Sequence, residues 1–390
     1  MRATRAIIDL DAIAANVQAL RRCAPASPRF LAVVKADAYG HGAPQVAATA
    51  LAAGATNLGV ATVSEGQILR RCGITAPILI LSSIDPSDAA AALAADLEIT
   101  VAEPRLLAEL ERLAALHPEP VAVHIKVDTG LRRYGALPDD AVATARRVEQ
   151  HSNLRLAGLS THFASADELD EPFTAAQYAI YQRVVAQLAA EGIAPPVLHV
   201  ANSAALITGV GVELGMVRAG IALYGVPPSD EVSLPAGMRP AMRIESRVAR
   251  VTPLEPGDTV GYNRVWRAER PMRGALVPIG YADGYRRGLV AKSWAGLHGQ
   301  RAPLLGRVSM DQTVFGIPDD LAVTPGDSIH LMGDPVHGAP TAADFAAMLD
   351  TNTYEILVGV RARIPRVYLR NGEEVATKRL EAPPWEELLL

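Results

Sequence analysis

Lys35 closes an apolar run, AVVK, and ADAYGHG follows at once, placing Tyr39, Gly40, His41 and Gly42 in close succession. An amine at the end of a buried strand loses hydration. Burial lowers a lysine pKa from its free value of about 10.4 and leaves a nucleophile toward carbonyl groups. Lys126, His162, His199, Asn202, Ser203 and Arg218 likewise stand at or near the ends of apolar runs. Taken singly, a lysine there is as readily a surface residue, and a histidine is more often a satisfied polar residue than a catalyst. HVANSA offers Ser203 at a helix start, and RAGIALYG offers backbone N–H groups near Gly220 and Ile221, which together could receive a phosphate. Asn-Ser at a helix start is commonly only a cap. A lysine and a phosphate cradle on one rim suggest a phosphorylated aldehyde cofactor.

One rim requires an architecture that collects strand ends. From Phe30 to about Val226, apolar β-type runs alternate with Ala/Leu-rich stretches of helical period such as APQVAATALAAG and RLLAELERLAAL. The runs are FLAVVK, NLGVA, PILILS, LEITV, VAVHIKV, LRLAGLSTHF, VLHVA and LGMVRAG. Eight βα units predict an α/β fold, a (β/α)₈ barrel of the TIM type, with chemistry at the C-terminal ends of its strands and a phosphate site after the seventh and eighth. An open doubly wound sheet is the alternative on pattern alone. Beyond PPSDEVSLPAGMRP the helical period fades and β-rich runs separated by Pro and Gly turns take over. The division is therefore a barrel over residues 1–235 and a mostly β domain over 236–390, with one late helix, TAADFAAMLD, and the segment TNTYEILVGV inside it.

Composition narrows the partners. The chain has 390 residues, 49% hydrophobic and 20% charged, with a net charge of −5. No basic footprint for nucleic acid or an anionic membrane is present, so a small molecule is expected. The uncharged runs 38–64 and 192–212 contain prolines and polar residues and are not membrane helices. Cys23 and Cys72 have neither metal-ligand nor redox spacing, and Asp9 and Asp11 interrupt any signal-peptide core, so a cytoplasmic protein without metal is expected. GVGVELG is no dinucleotide fingerprint, and no GxxxxGK[ST], HExxH or GxSxG occurs.

VVKADAYGHG, KVDTGLRRYG, STHFASAD, HVANSA, VRAGIALYG, PIGYADGY, GRVSMDQ and TYEIL occur in the order seen in bacterial alanine racemases, and the sequence resembles that family from Lys35 to Leu357. The resemblance implies that Lys35 holds pyridoxal 5′-phosphate as a Schiff base and then serves as the base on one face of the substrate α-carbon. Tyr281 is implied as the opposing base, reaching across a homodimer interface. A hydrogen-bonded chain of His162, Arg218 and His199 is implied to support it. Arg218 would meet the pyridine nitrogen with a charge it cannot hand over, which disfavours side reactions. Tyr39, Asn202, Ser203, Gly220, Ile221 and Tyr354 complete the implied cofactor contacts. Arg133, the Met310 backbone N–H and, beside it, Asp311 are implied for the substrate carboxylate. Lys126 matches a lysine often carried as a carbamate.

Three positions depart from the family pattern: Arg132 stands where glycine is usual, Ala219 where proline is, and Ser309 where cysteine is common. A second cation at Arg132 could alter substrate preference or displace Arg133. The implied activity is interconversion of L- and D-alanine, supplying D-alanine for peptidoglycan. A racemase of the same fold acting on serine or a broader range of amino acids is the nearest alternative, followed by a non-catalytic cofactor-binding barrel and a cofactor-free Schiff-base aldolase.

Overall fold

Strand β1 (Arg5–Asp9) opens the chain, and eight short strands follow: β2 (Arg29–Val33), β3 (Asn57–Val60), β4 (Ile78–Ile80), β5 (Glu98–Val101), β6 (Val121–Lys126), β7 (Leu154–Ser160), β8 (Leu198–His199) and β9 (Met216–Ala219). This computed structural model describes residues 3–379. Strands β2–β9 form one parallel sheet in the order β8-β7-β6-β5-β4-β3-β2-β9. Because β9 returns to pair with β2, the sheet curls into a nearly closed barrel. Its last seam is crossed by Arg218 N–H donating to Ala201 O at 3.0 Å. The strands are apolar on both faces, NLGV and ILI being wholly buried, as a parallel sheet covered by helices requires. All eight runs expected from sequence are strands here, which excludes the open sheet.

The covering helices carry ordinary signals. Helix Pro104–Ala114 starts on proline and buries Leu106, Leu107, Leu110 and Ala114. Helix Val63–Arg71 begins in a capping box formed by Thr62 and Glu65. Helix Leu10–Cys23 precedes β2 and is fastened beside the turn after β9: the buried Asn16 donates to Leu223 O and Arg239 O and accepts from Arg239 N.

The remaining strands are β10 (Met242–Arg247), β11 (Arg250–Leu254), β12 (Thr259–Val260), β13 (Trp266–Arg267), β14 (Met272–Val277), β15 (Trp294–Leu297), β16 (Gln300–Leu305), β17 (Thr313–Ile317), β18 (Ser328–Met332), β19 (Arg366–Arg370) and β20 (Glu373–Lys378). All but the small β12–β13 ladder join a ten-stranded sheet, β11-β14-β17-β16-β15-β18-β10-β1-β19-β20. Strand β1 sits inside it, antiparallel to β10 and parallel to β19. By contacts the chain thus divides into a barrel unit, Ala12–Ala38 with Ala43–Arg239, and a β unit that takes, of the described residues, 3–11, Tyr39–Gly42 and 240–379. Chain order had grouped those first residues with the barrel. Their ladder hydrogen bonds put them in the β sheet, a pairing that sequence separation conceals. Helices Ala342–Leu349 and Thr353–Val358 belong to the β unit. No helix among the described residues is long and apolar enough to cross a membrane.

Candidate active site

Lys35 follows β2 directly, and the chain then turns in an unusual way. Ala36, Asp37, Ala38 and Tyr39 all have φ between +51° and +55°. Each non-glycine residue in this left-handed conformation costs roughly 1–2 kcal/mol, so the surroundings must impose it. Ala36 N–H donates to Glu65 Oε1 (2.7 Å), Ala38 N–H to Val34 O (2.9 Å) and Ala43 N–H to Asp37 Oδ1 (2.8 Å). Glu65 also accepts from Ala61 N–H through its other oxygen at 2.7 Å. One carboxylate therefore ties the turn after β2 to the turn after β3. The sequence reading missed Glu65, whose available signal was the T-x-x-E cap.

Burial lowers the Lys35 pKa, Arg133 lowers it further, and Glu65 opposes both. Lys126, the last residue of β6, is pushed down to about 8 by burial and by Arg218, Arg133 and Lys35, with Asp128 opposing. Four cationic side chains thus feel one another at this rim. Such a concentration of positive charge is stabilised only when anions join it. The Lys126 amine also lies 5.4 Å from the centre of the Tyr134 ring.

Arg218 is almost completely buried, and its donors are directed. Nη1 donates to His199 O (2.9 Å) and approaches His199 Nδ1 at 3.0 Å; Nη2 donates to Thr161 O (2.9 Å) and Val200 O (3.0 Å) and lies 3.3 Å from His162 Nδ1. A guanidinium has no acceptor, so His199 Nδ1 must accept and its proton resides on Nε2. That proton faces His124 Nδ1 at 3.2 Å, which leaves the His124 proton on Nε2, 3.3 Å from Glu98 Oε2. The result is a directed chain, Arg218 to His199 to His124, with the Glu98 carboxylate as the anion beside its far end. Burial, then Arg218, drives His162 and His199 well below the usual histidine range, so both rings are neutral. Burial brings Arg218 to about 10, still charged at neutral pH. Although burial works against its charge, Glu98 is held below the usual carboxylate range by its bond to His124 and by Arg29 and Arg155. Gly158 makes the room: a Cβ there would lie 2.5 Å from His124 Nδ1 and 2.8 Å from Val197 O. His124 and Glu98 were not foreseen from sequence.

Ser203 opens helix Ser203–Thr208, where Asn202 Oδ1 caps Ala205 N–H at 3.0 Å. Ser203 Oγ accepts from Gly220 N–H (2.8 Å) and Ala222 N–H (3.3 Å), which leaves its hydroxyl proton to donate. Gly220 N–H is thereby committed to Ser203. Ile221 starts the short turn Ile221–Tyr224, which Tyr224 OH fastens to Val33 O at 2.8 Å.

Arg132 has φ +54°, and Asp128 Oδ1 accepts from Arg132 N–H (3.2 Å) and Gly130 N–H (2.8 Å). A glycine at position 132 would take this backbone without strain. Arg132→Gly is expected to raise stability by about 0.5–1 kcal/mol, the left-handed cost less glycine's extra chain entropy. Urea unfolding checks this, and lower stability would contradict it.

The other expected site residues lie in the β unit. The Tyr39 and Tyr354 rings stand 6.1 Å apart, and burial, then Tyr354, raises the Tyr39 phenol above its ordinary range. Tyr281 begins a short turn, Tyr281–Asp283, with its N–H on Ser309 O, while Ala282 N–H donates to Met310 O, both at 3.0 Å. Gly280 permits this approach, since a Cβ would come within 2.3 Å of both Ser309 O and Met310 O. Tyr281 and Met310 are therefore held side by side, 38% and 53% exposed. Arg363 pairs with Asp311 at 2.6 Å and reaches Asp283 at 3.5 Å, neither Arg363 nor Asp283 having been singled out. The structure thus brings the expected residues together in three sets: Lys35, Lys126, Arg133, His162, His199 and Arg218 in the barrel unit, and, in the β unit, Tyr39 with Tyr354 and Tyr281 with Met310 and Asp311; Ser203 lies with Gly220 at the ends of β8 and β9.

A (β/α)₈ barrel whose rim joins lysines of lowered pKa to a buried arginine and neutral histidines is the architecture of an enzyme acting on a small molecule. The chain belongs to the alanine racemase family. Residues 8–228 match the family "Alanine racemase, N-terminal domain" and residues 241–368 the family "Alanine racemase, C-terminal domain". The alanine racemase of Symbiobacterium thermophilum is 41% identical over 94% of this chain and 97% of that protein. That of Mycolicibacterium vanbaalenii is 42% identical over 93% and 94%. Among solved structures, alanine racemase of Clostridium difficile superposes with a TM-score of 0.92 at 34% identity, covering 97% of this chain and 99% of that one. The Bacillus anthracis enzyme, solved with bound L-Ala-P, gives 0.90 at 36% identity, covering 97% of each chain.

Proposed function

We propose that this chain is an isomerase that interconverts L- and D-alanine with pyridoxal 5′-phosphate held through Lys35. The observation that carries the reading is the barrel rim, where burial and then Arg133 lower the Lys35 pKa against the pull of Glu65, and where Lys126 feels Arg218, Arg133 and Lys35. The residues present fit the cofactor. An amine of lowered pKa suits a carbonyl carbon, the Ser203 hydroxyl has a proton to donate toward a phosphate, and the cations supply the charge an anion requires. Tyr39, Asn202, Ile221 and Tyr354 would complete the contacts, while the Gly220 N–H stays with Ser203 Oγ and orients that hydroxyl. When bound, pyridoxal phosphate withdraws electrons from the substrate α-carbon and makes its proton acidic.

The chain's own groups then divide the work. Lys35 accepts and returns the α-proton on one face, and Tyr281 of the partner subunit does so on the other, since inversion needs a base on each side. Arg218, charged at neutral pH and oriented by His199 with His124 behind it, would face the ring nitrogen of the bound cofactor as a cation that does not give up its proton. His162 stays neutral beside it, and Arg133, with the Met310 N–H, holds the substrate carboxylate. The working unit is a homodimer with shared sites, in the cytoplasm, supplying D-alanine for peptidoglycan. A D-alanine signal from L-alanine and added pyridoxal phosphate tests the activity. Faster turnover of D-serine or D-lysine than of alanine would shift the substrate assignment.

Lys126 enters as a carbamate. At a pKa of about 8 its amine is partly neutral near neutral pH and increasingly so as pH rises. Its nitrogen bonds to the carbon of carbon dioxide and releases a proton, converting a cation into an anion that orients Arg133. With ¹³C-bicarbonate, wild-type protein is expected to show one carbamate carbon resonance that Lys126→Gln lacks. An unmodified amine in fully active enzyme would sink the assignment.

A further inference from the structure

The β unit carries a cluster to which racemisation assigns no role. His330 lies in β18, Asp334 follows Gly333 just beyond its end, and His337 closes the short turn Pro335–His337, a His-x3-Asp-x2-His spacing. The two imidazoles stack with centroids 4.3 Å apart and planes 8° from parallel. Both direct Nδ1 at one carboxylate, His337 at 2.7 Å from Oδ1 and His330 at 2.9 Å from Oδ2. The first contact is a hydrogen bond. The second is too misaligned to be one, so the buried His330 Nδ1 has an anion beside it and no hydrogen-bond partner.

We propose that His330, Asp334 and His337 bind a divalent transition ion of the zinc class. The three donor atoms lie within 4.8 Å of one another. Zinc would bond imidazole and carboxylate at roughly 2.0–2.2 Å, so the three side chains would turn from their mutual contacts toward a shared centre. Two nitrogens and one oxygen suit zinc, nickel or cobalt, whereas magnesium and calcium require oxygen ligands. Three protein ligands leave a position for water. The ion would also give His330 Nδ1 the partner it lacks.

The supporting loop is already built, so ordering it adds little cost. Gly333 N–H donates to Pro340 O at 2.7 Å, Asp334 O accepts from both His337 and Ala339 N–H at 3.1 Å, and Trp294 Nε1 holds Gly338 O at 3.0 Å. Glu245, paired across the ladder with His330, adds negative charge, although Arg5 engages it at 2.8 Å. Arg243, 3.9 Å from Asp334 Oδ2, is the opposing cation and lies at the edge of the cluster. A bound ion would link the end of β18 to the following turn and stabilise the β unit rather than take part in the reaction.

The test uses untagged, full-length protein loaded with cofactor. Cobalt is titrated with its d–d absorption as readout, and zinc by calorimetry and thermal melting. One equivalent is expected to bind and to raise Tm. His337→Ala and Asp334→Asn should each weaken binding by tenfold or more and cancel the Tm shift while racemase activity stays at the wild-type level. His337 is the most exposed member, with 56% of its side chain accessible, so its replacement should leave the fold intact. No saturable binding of either metal, or the same affinity in wild type and both variants, would overturn the assignment.

Discussion

Replacing Lys35 with alanine is expected to remove racemisation, with kcat falling by more than about 10³-fold, because one side chain serves as covalent anchor and as base. The loss should extend to the cofactor: Lys35→Ala protein reconstituted with pyridoxal phosphate and dialysed should retain none of the wild-type visible absorbance. Lys126 cannot substitute. It ends a different strand and is itself flanked by Arg218, Arg133 and Lys35. The lowered Lys35 pKa sets the sign of the pH dependence for cofactor loading of the apoprotein. The neutral amine is the reactive form, so the loading rate should rise with pH and level off below the range of a free lysine. Glu65 opposes this lowering. Glu65→Gln should therefore move the midpoint to lower pH, unless loss of its bond to Ala36 N–H unwinds the left-handed turn and abolishes loading. Full activity in Lys35→Ala would refute the assignment of Lys35.

How much of this was legible in the sequence depended on how locally each feature is encoded. The barrel strands could be read because a parallel sheet buried on both faces writes itself as short apolar runs, and Lys35, Lys126 and Arg218 could be placed because they terminate or interrupt such runs. The segment that forms β1 went with the barrel on chain order alone, and only its pairing with β10 and β19 reveals the sheet it joins. The left-handed run Ala36–Tyr39 was invisible for a stronger reason. Local propensity argues against four such residues, and what enforces them includes Glu65, which is remote in sequence. His124 and Glu98 depend on the adjacency of β5, β6 and the strand ends beyond, which no spacing discloses. Tyr281, Met310 and Asp311 rested on resemblance alone, since their turn becomes meaningful only when Gly280 lets it lie against Ser309 and Met310. The sequence reading passed over His330, Asp334 and His337 because their alignment arises from a strand end and a tight turn rather than from a single helix face.

Removal of the Tyr281 hydroxyl should separate two events that normally occur together. Tyr281→Phe is expected to lower racemisation by about 10²–10⁴-fold. The side chain is 38% exposed on a short surface turn, so stability should change by no more than about 0.5 kcal/mol. The loss must be equal in both directions, because the two enantiomers have equal free energies. Proton exchange has no such constraint. Lys35 still removes and returns a proton on its own face, so in D₂O one enantiomer of alanine should take up α-deuterium faster than it inverts. Equal rates of exchange and inversion in Tyr281→Phe would contradict a two-base mechanism. Mixing the variants then locates the tyrosine. If Tyr281 acts across the interface, a hybrid dimer of Lys35→Ala and Tyr281→Phe chains contains one doubly defective site and one intact site. Random pairing makes half the dimers hybrids, and the mixture should recover about a quarter of the wild-type rate from two nearly inactive parents. If Tyr281 served the Lys35 of its own chain, every site in every dimer would lack one base, and mixing would restore nothing.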